Sequence, residues 1–319
     1  FPVIVKPNYE GSSKGITMDS IVEDPRALMP RVASILEKYP SGLLIEEFIV
    51  GRDVVVPFLE RASPSTSGVL TPVSYKFDER VIGKRKYAIY DYELKCVSSD
   101  AVEVECPAPI DGVVRTQLLE QSANAFRALG VRDLGRIDWR LTDDGRIYFL
   151  EVNALPSLEP GAGLYLAADI AGLTKTEDVL AAVVESAAER WGITSKRSHF
   201  ARAKKLRVGL TYNLKRKPPK HADDDDSEAE YDSANTIDAL AKAIASYGHQ
   251  VVRLEATADI VRTLPDANVD VVFNLAEGIN GRSREAQVPA LIVRRASTTV
   301  ELRDGQSFVI GGLLQTDNK

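Results

Sequence analysis

Residues 135–153 read Gly135-Arg-Ile-Asp-Trp-Arg-Leu-Thr-Asp-Asp-Gly-Arg-Ile-Tyr-Phe-Leu-Glu-Val-Asn153. Two β-prone runs flank the turn Thr142-Asp-Asp-Gly145, a spacing that predicts an antiparallel hairpin. Alternation puts Arg136 and Asp138 on one face of the first strand, and Glu151 and Asn153 likewise on one face of the second. Pairing across the turn brings Asp138 near Glu151 and Asn153. Two carboxylates and an amide oxygen form an all-oxygen set, which suits magnesium bridging phosphates and not zinc. Arg136 beside them could clamp a transferring phosphoryl group or a developing oxyanion. In an ordinary hairpin a buried Asp facing a Glu would be costly, and a cation removes that cost.

Upstream, Lys6-Pro7 is followed by Glu10-Gly-Ser-Ser-Lys-Gly15. A strand-end lysine beside a glycine/serine loop can set one cation and several N–H and O–H donors around phosphate oxygens. On its own such a loop is usually only a turn. A second stretch, Glu46-Glu47-Phe48-Ile49, leads into Gly51-Arg52-Asp53. An apolar strand ending in carboxylates can hold a purine ring against its backbone while an acid accepts ribose hydroxyls. Taken alone it reads more simply as an edge strand with solvated acids.

The rest of the chain divides by pattern. A strand at Val3-Ile-Val5, a helix over 25–38 with Pro25 near its start, and strands at 42–50 and 54–59 precede a turn-rich loop at 64–68. An amphipathic helix over 112–130 carries Leu118, Leu119, Ala123, Phe126 and Leu129 on one face, with Gly130 as its stop. A helix at about 176–190 closes this region. Residues 193–204, polar and basic, read as a linker. Beyond them come strand 206–210, helix 233–247, strand 251–254 and strand 269–274, an order that suggests a parallel α/β unit. Asp223-Asp-Asp-Asp226 reads as a solvated, mobile loop, since like charges repel.

Composition bounds the partners. The 319 residues suit two domains, with 44% apolar and 27% charged residues. A formal net charge of −6 argues against a nucleic-acid partner, which would favour a basic surface. Apolar runs stay shorter than the ~18 to 20 residues that span a bilayer, so no membrane partner is expected. Cys96 and Cys106 read as reduced thiols of a cytoplasmic protein. Opening on Phe1 as a strand and without an initiator Met, the chain reads as starting within a longer protein.

The runs VKPNYEGSSKGI, LLIEEFIVGRD, DYELK and GRIDWRLTDDGRIYFLEVNALPSLEPGAG, in that order over residues 1–190, resemble the ATP-grasp domain of the D-alanine–D-alanine ligase family. The resemblance implies an α/β (α+β) fold: an ATP-grasp domain with an antiparallel sheet at 1–195, its N-terminal part missing. It implies an ATP- and Mg2+-dependent ligase joining a carboxylate to an amine through an acylphosphate, in peptidoglycan precursor synthesis. Carried over, Lys6 and Lys95 contact ATP phosphates, Glu10, Ser12 and Ser13 belong to the lid loop over the triphosphate, and Ser12 is a catalytic residue alongside Arg136. Glu46 and the segment Glu47-Phe48-Ile49 hold adenine, with Asp53 near the ribose. Asp138, Glu151 and Asn153 bind two magnesium (or manganese) ions, and Arg136 stabilises the tetrahedral intermediate. Partners would be small amino-acid or dipeptide substrates, and a homodimer is compatible with the reading. The departures are Asp53 in place of the family's Glu, Cys96 in place of an aromatic residue, Ala162 in place of a serine, and Ser157 in place of a glycine. Cys96 and Ala162 fall on the acceptor side and Ser157 where a backbone N–H supports the oxyanion, so the amine acceptor stays open, as does a nucleotide-binding fragment without ligation.

Residues 205–293 resemble the same family's N-terminal, Rossmann-like α/β domain, on LRVGLTYNL and VDVVFNLAEGINGRSREAQVPAL. In the family that domain comes first. Here it follows, which a tandem gene explains more simply than a circular permutation. Glu277, Gly278 and the Gly281–Arg284 loop are candidate contacts there. The tail 294–319 is similar to a piece of a bacterial secretin. It reads as strand, turn at Asp304-Gly305, strand, with no assigned function and no independent domain.

Overall fold

The computed structural model describes residues 1–62, 67–83, 85–190, 205–217, 225–277, 308–310 and 313–315. The chain begins with β1 (Val3–Pro7), β2 (Ile21–Val22), α1 (Pro25–Lys38) and β3 (Leu43–Glu47). These three strands form an antiparallel sheet in the order β2-β1-β3. Helix α1 starts where Asp24 accepts the backbone N–H of Arg26 at 2.9 Å, directly before Pro25. That is the usual arrangement of a short polar cap followed by proline at the first helical position. Ile35 of the helix and Tyr39 just after it pack against Val5 and Val22.

Next come β4 (Arg52–Leu59), β5 (Val73–Phe77), α2 (Glu79–Ile82), β6 (Val102–Glu105), α3 (Gly112–Ala128), β7 (Leu134–Leu141) and β8 (Ile147–Asn153). Their strands form one five-stranded antiparallel sheet in the order β6-β5-β4-β7-β8. Strand β4 sits at its centre and is buried from Val54 to Leu59, as an apolar strand covered on both faces must be. One face lies on α3, where Val54, Val56, Phe58, Ile137, Trp139 and Leu141 meet Leu118 and Phe126. The Phe58 and Phe126 rings stack at 4.7 Å. The other face is apolar at Val55, Leu59 and Val73, beneath α4 (Gly163–Ile170) and α5 (Thr176–Arg190).

After residue 204, β9 (Arg207–Tyr212), α6 (Ala234–Ser246), β10 (Gln250–Glu255), α7 (Ile260–Asp266) and β11 (Val271–Asn274) follow. The strands run parallel in the order β10-β9-β11. This unit rests on α5, which covers the larger sheet. Leu210, Ile237, Leu240, Ala241 and Ile244 share one continuous apolar cluster with Val179, Leu180 and Val183 of α5. Tyr247 Oη also donates to the Glu177 carbonyl at 3.1 Å. Last are β12 (Phe308–Ile310) and β13 (Leu313–Gln315), an antiparallel pair. Among the described residues, no helix is long and apolar enough to cross a membrane.

Several expectations need correction. Leu129 is 55% exposed at the end of α3. The third buried position on that helix is Ser122, whose hydroxyl accepts the Trp139 indole N–H at 3.1 Å. Strand β3 ends at Glu47, short of residue 50. The acidic run is not wholly solvated: Lys38 reaches Asp226 at 3.0 Å and Tyr39 Oη donates to the same carboxylate. Strands β5 and β6 and helix α4 were not expected, because each is short and its apolar residues keep no long period. The two tail strands both lie after the turn expected at Asp304-Gly305. That turn, the 193–204 linker, Gly278 and the Gly281–Arg284 loop fall outside the described residues.

Truncating Phe126 to Ala should cost about 3–5 kcal/mol, because it leaves a cavity between α3 and the sheet. Leu129→Ala should stay within about 0.5 kcal/mol. Urea unfolding followed by circular dichroism compares the two, and equal losses would contradict this packing.

Candidate functional site

Strands β7 and β8 pair with Arg136 opposite Asn153, Ile137 opposite Val152, and Asp138 opposite Glu151. Opposite residues share a face, so the four expected polar side chains come together. Arg136 grips Asp138 with both ends of its fork, Nε to Oδ1 at 2.6 Å and an Nη to Oδ2 at 2.8 Å. The Asn153 amide bridges both carboxylates, at 3.3 Å from Asp138 Oδ2 and 3.3 Å from Glu151 Oε1. The connecting turn needs Gly145, which has φ +82°, a conformation glycine adopts without penalty.

A bulge makes this arrangement possible. After Asp138 the register shifts, so that Trp139 lies opposite Phe149 and Leu150 has no partner in the ladder. Unbroken alternation would put Phe149 on the face of Glu151. Instead its ring meets Trp139 edge-on at 5.6 Å on the α3 side. One extra residue thus sends the Phe149 ring to the side of the buried Trp139, where it stays half exposed, and the acids to the opposite face.

The glycine/serine loop is tightly wound. Ser12 and Ser13 have φ of 51° and 57°, a strained region for residues other than glycine. Gly15 has φ +72°, and a Cβ there would lie 2.6 Å from the Pro7 ring. Ser13 Oγ donates to the Tyr90 carbonyl at 3.0 Å. Lys14, 5% exposed, pairs with Glu10 at 2.5 Å and lies 3.5 Å from Glu230. The Gly11 N–H also donates to Glu230 at 2.8 Å. The loop is therefore held from the parallel α/β unit, through a residue the sequence reading did not single out. On the small sheet, Lys6 pairs with Glu46 at 2.7 Å.

The segment after β3 is fixed by its backbone. The Phe48 N–H donates to the Pro2 carbonyl at 3.0 Å, and the Ile49 carbonyl accepts from Arg140 at 2.9 Å. Glu47 stays exposed. Asp53 accepts from Arg140 on one oxygen at 2.7 Å and from the Tyr90 N–H on the other at 3.1 Å.

Lys95 sits on a single wide helical turn, Glu93–Val97. Burial depresses its ammonium pKa, and the Arg136 charge depresses it further, while Asp138, Cys96 and Glu151 oppose both. For Arg136, burial also disfavours the charge, but Asp138 outweighs it and the guanidinium is held above its ordinary value. Burial raises the Cys96 thiol pKa, which favours an unreactive thiol.

Asp138, Glu151 and Asn153 suit a hard divalent cation chemically: two carboxylates and an amide able to turn its oxygen inward. Among the described residues no group of three or more His, Cys, Asp or Glu forms a metal cluster. A cation here would therefore have to complete its shell with water or substrate oxygens.

Residues 1–185 match a family model described as the D-ala D-ala ligase C-terminus. The D-alanine–D-alanine ligase A of Mesorhizobium japonicum is 37% identical over 184 residues, 56% of this chain and 48% of that protein. The D-alanine–D-alanine ligase of Geobacter sulfurreducens is 32% identical over 158 residues, 50% and 44%. Ligase B of Pseudomonas putida is 32% identical over 190 residues, 60% and 54%. The chain spans about half the length of the curated relatives it matches.

Because the folded state disfavours charge on Lys95, replacing it with Met should stabilise the protein at neutral pH with nucleotide and metal removed. The gain should fade as pH rises toward the ordinary lysine range near ~10, where the unfolded chain releases the same proton. Thermal melts of both proteins from pH 7 to 10 test the sign.

Proposed function

The chain belongs to the D-ala D-ala ligase C-terminus family, and from that premise we propose that it carries the nucleotide- and magnesium-binding part of an ATP-dependent carboxylate–amine ligase. The observation that carries the reading is the facing of Asp138 with Glu151 and of Arg136 with Asn153 across β7 and β8.

In this reading Lys6 and Lys95 meet the phosphates of ATP, and the Ser12-Ser13 loop lies over them, braced by Glu10 and Lys14. Glu46 and the backbone of Glu47, Phe48 and Ile49 border the base, with Asp53 on the sugar side. Asp138, Glu151 and Asn153 hold magnesium (two ions, or manganese), which when bound neutralises phosphate charge. The carboxylate of one small amino acid attacks the γ-phosphorus, the bond to ADP breaks, and an acylphosphate forms. The amine of a second amino acid or a dipeptide then attacks the acyl carbon and inorganic phosphate leaves. Arg136, held at the site's edge by Asp138, stabilises the oxyanion of that step. Positioning and charge compensation do most of the work in such chemistry. By analogy with these ligases, the reading places the reaction in peptidoglycan precursor synthesis in the cytoplasm.

Mg-ATP at 100 times its Kd should stabilise the protein by about 2.7 kcal/mol, and Asp138→Asn or Glu151→Gln should abolish that gain. Phosphate release with D-alanine or another amino acid should fall about 100- to 1,000-fold in Arg136→Met. No stabilisation by Mg-ATP at any concentration would sink the assignment. Stabilisation without phosphate release across a broad amino-acid panel would leave a nucleotide-binding, non-ligating chain.

A further inference from the structure

Arg140 stands two residues beyond Asp138 and four beyond Arg136 on β7, and only 4% of its surface is exposed. Its guanidinium spends each nitrogen on a different piece of chain. Nε donates to the Ile49 carbonyl at 2.9 Å, one Nη to Asp53 Oδ1 at 2.7 Å, and the other to the Ala88 carbonyl at 2.8 Å. The same group lies 5.3 Å from the centre of the Phe48 ring, within cation–π range. Phe48 in turn takes the edge of Tyr87 at 5.0 Å. The second oxygen of Asp53 accepts the Tyr90 N–H at 3.1 Å.

We infer that Arg140 is the positioning residue of the base-and-sugar half of the nucleotide site, acting through Phe48, Ile49 and Asp53 without touching the phosphates. This rests on the reading that residues 46–53 border the nucleotide. The planar fork is what the position requires: three acceptors in different directions and one ring face are met by a guanidinium, and a lysine ammonium cannot match that geometry. Buried charge-assisted bonds of this kind also resist loosening better than neutral ones. The Asp53 carboxylate is committed to Arg140 and Tyr90. The sugar-side surface is therefore shaped by a clamped ion pair, whose loss would displace the chain on both sides of it.

The test compares wild type, Arg140→Lys, Asp53→Asn and Arg140→Lys/Asp53→Asn by equilibrium titration with Mg-ATP and, separately, with Mg-tripolyphosphate, which has no base or sugar. Arg140→Lys should weaken Mg-ATP binding at least about 10-fold and leave Mg-tripolyphosphate within about 2-fold. Asp53→Asn should weaken Mg-ATP in the same selective way, and the double variant should lose less than the product of the single losses, as residues in one network do. If Arg140→Lys does not fold, Asp53→Asn carries the comparison alone. Equal weakening toward both ligands would reduce Arg140 to a general structural role and overturn the inference, as would unchanged Mg-ATP binding in these variants. A wild type that binds neither ligand would instead overturn the nucleotide-site reading, and this inference with it.

Discussion

The bulge at Leu150 is the constraint on which the site depends. A strand places successive side chains on opposite faces, and one unpaired residue reverses that assignment for everything beyond it. Without the reversal, either the Phe149 ring would enter the polar face or Glu151 would point into the apolar layer over α3. With it, Ile147 and Val152 pack against the core, the half-exposed Phe149 ring meets Trp139 on that side, and Glu151 and Asn153 stand opposite Asp138 and Arg136. Three residues of β7 at spacings of two (Arg136, Asp138 and Arg140) then form a charged row along the same face.

That row, and the lysines of β1 and the glycine/serine loop, are compensated from within the protein. Arg136 is gripped by Asp138 at 2.6 Å, Arg140 by Asp53 at 2.7 Å, Lys6 by Glu46 at 2.7 Å and Lys14 by Glu10 at 2.5 Å. Leaving the buried Lys14 or Arg140 without a carboxylate would carry a large desolvation cost. The same pairing fixes where each cation points, which is the preorganisation that binding a polyanion demands. Lys95 is the contrast. Its charge is disfavoured by burial and by Arg136, and an anionic neighbour would relieve that penalty. Strain is concentrated nearby at Ser12 and Ser13. Such backbone persists only where surrounding bonds over-determine it, and here those bonds come from Tyr90 and from Glu230.

The dependence on Glu230 ties the loop to the parallel unit. That unit shares an apolar cluster with α5 and sets Asp226 and Glu230 against α1 and the loop. Changes in either layer should therefore be felt in the other, because close-packed interiors transmit small displacements. The polar contacts join segments about two hundred residues apart, and the packing joins α5 to residues 210–244, so local pattern could not reveal them.

How much was legible follows from the range of each interaction. The hairpin, its turn, the caps and periods of α1, α3 and α6, and the parallel order of β9, β10 and β11 are short-range matters of sterics and alternation, and local sequence specifies them. Arg136, Asp138, Glu151 and Asn153 could be brought together on paper because one tight turn joins them. Their shared face at the bulge, the burial of Ser122 in place of Leu129, and the engagement of Asp226 required the neighbouring surfaces. Arg140 gave no signal in the sequence, since its three acceptors are two backbone carbonyls and one acid scattered over residues 49 to 88. By itself the sequence determined the hairpin, the longer helices and the parallel strands, and which side chains could share a strand face, because those depend on dihedral preference and spacing. Only the tertiary structure decided which charges pair and which loops are held, because desolvation and hydrogen-bond geometry act between atoms that are close in space and distant along the chain.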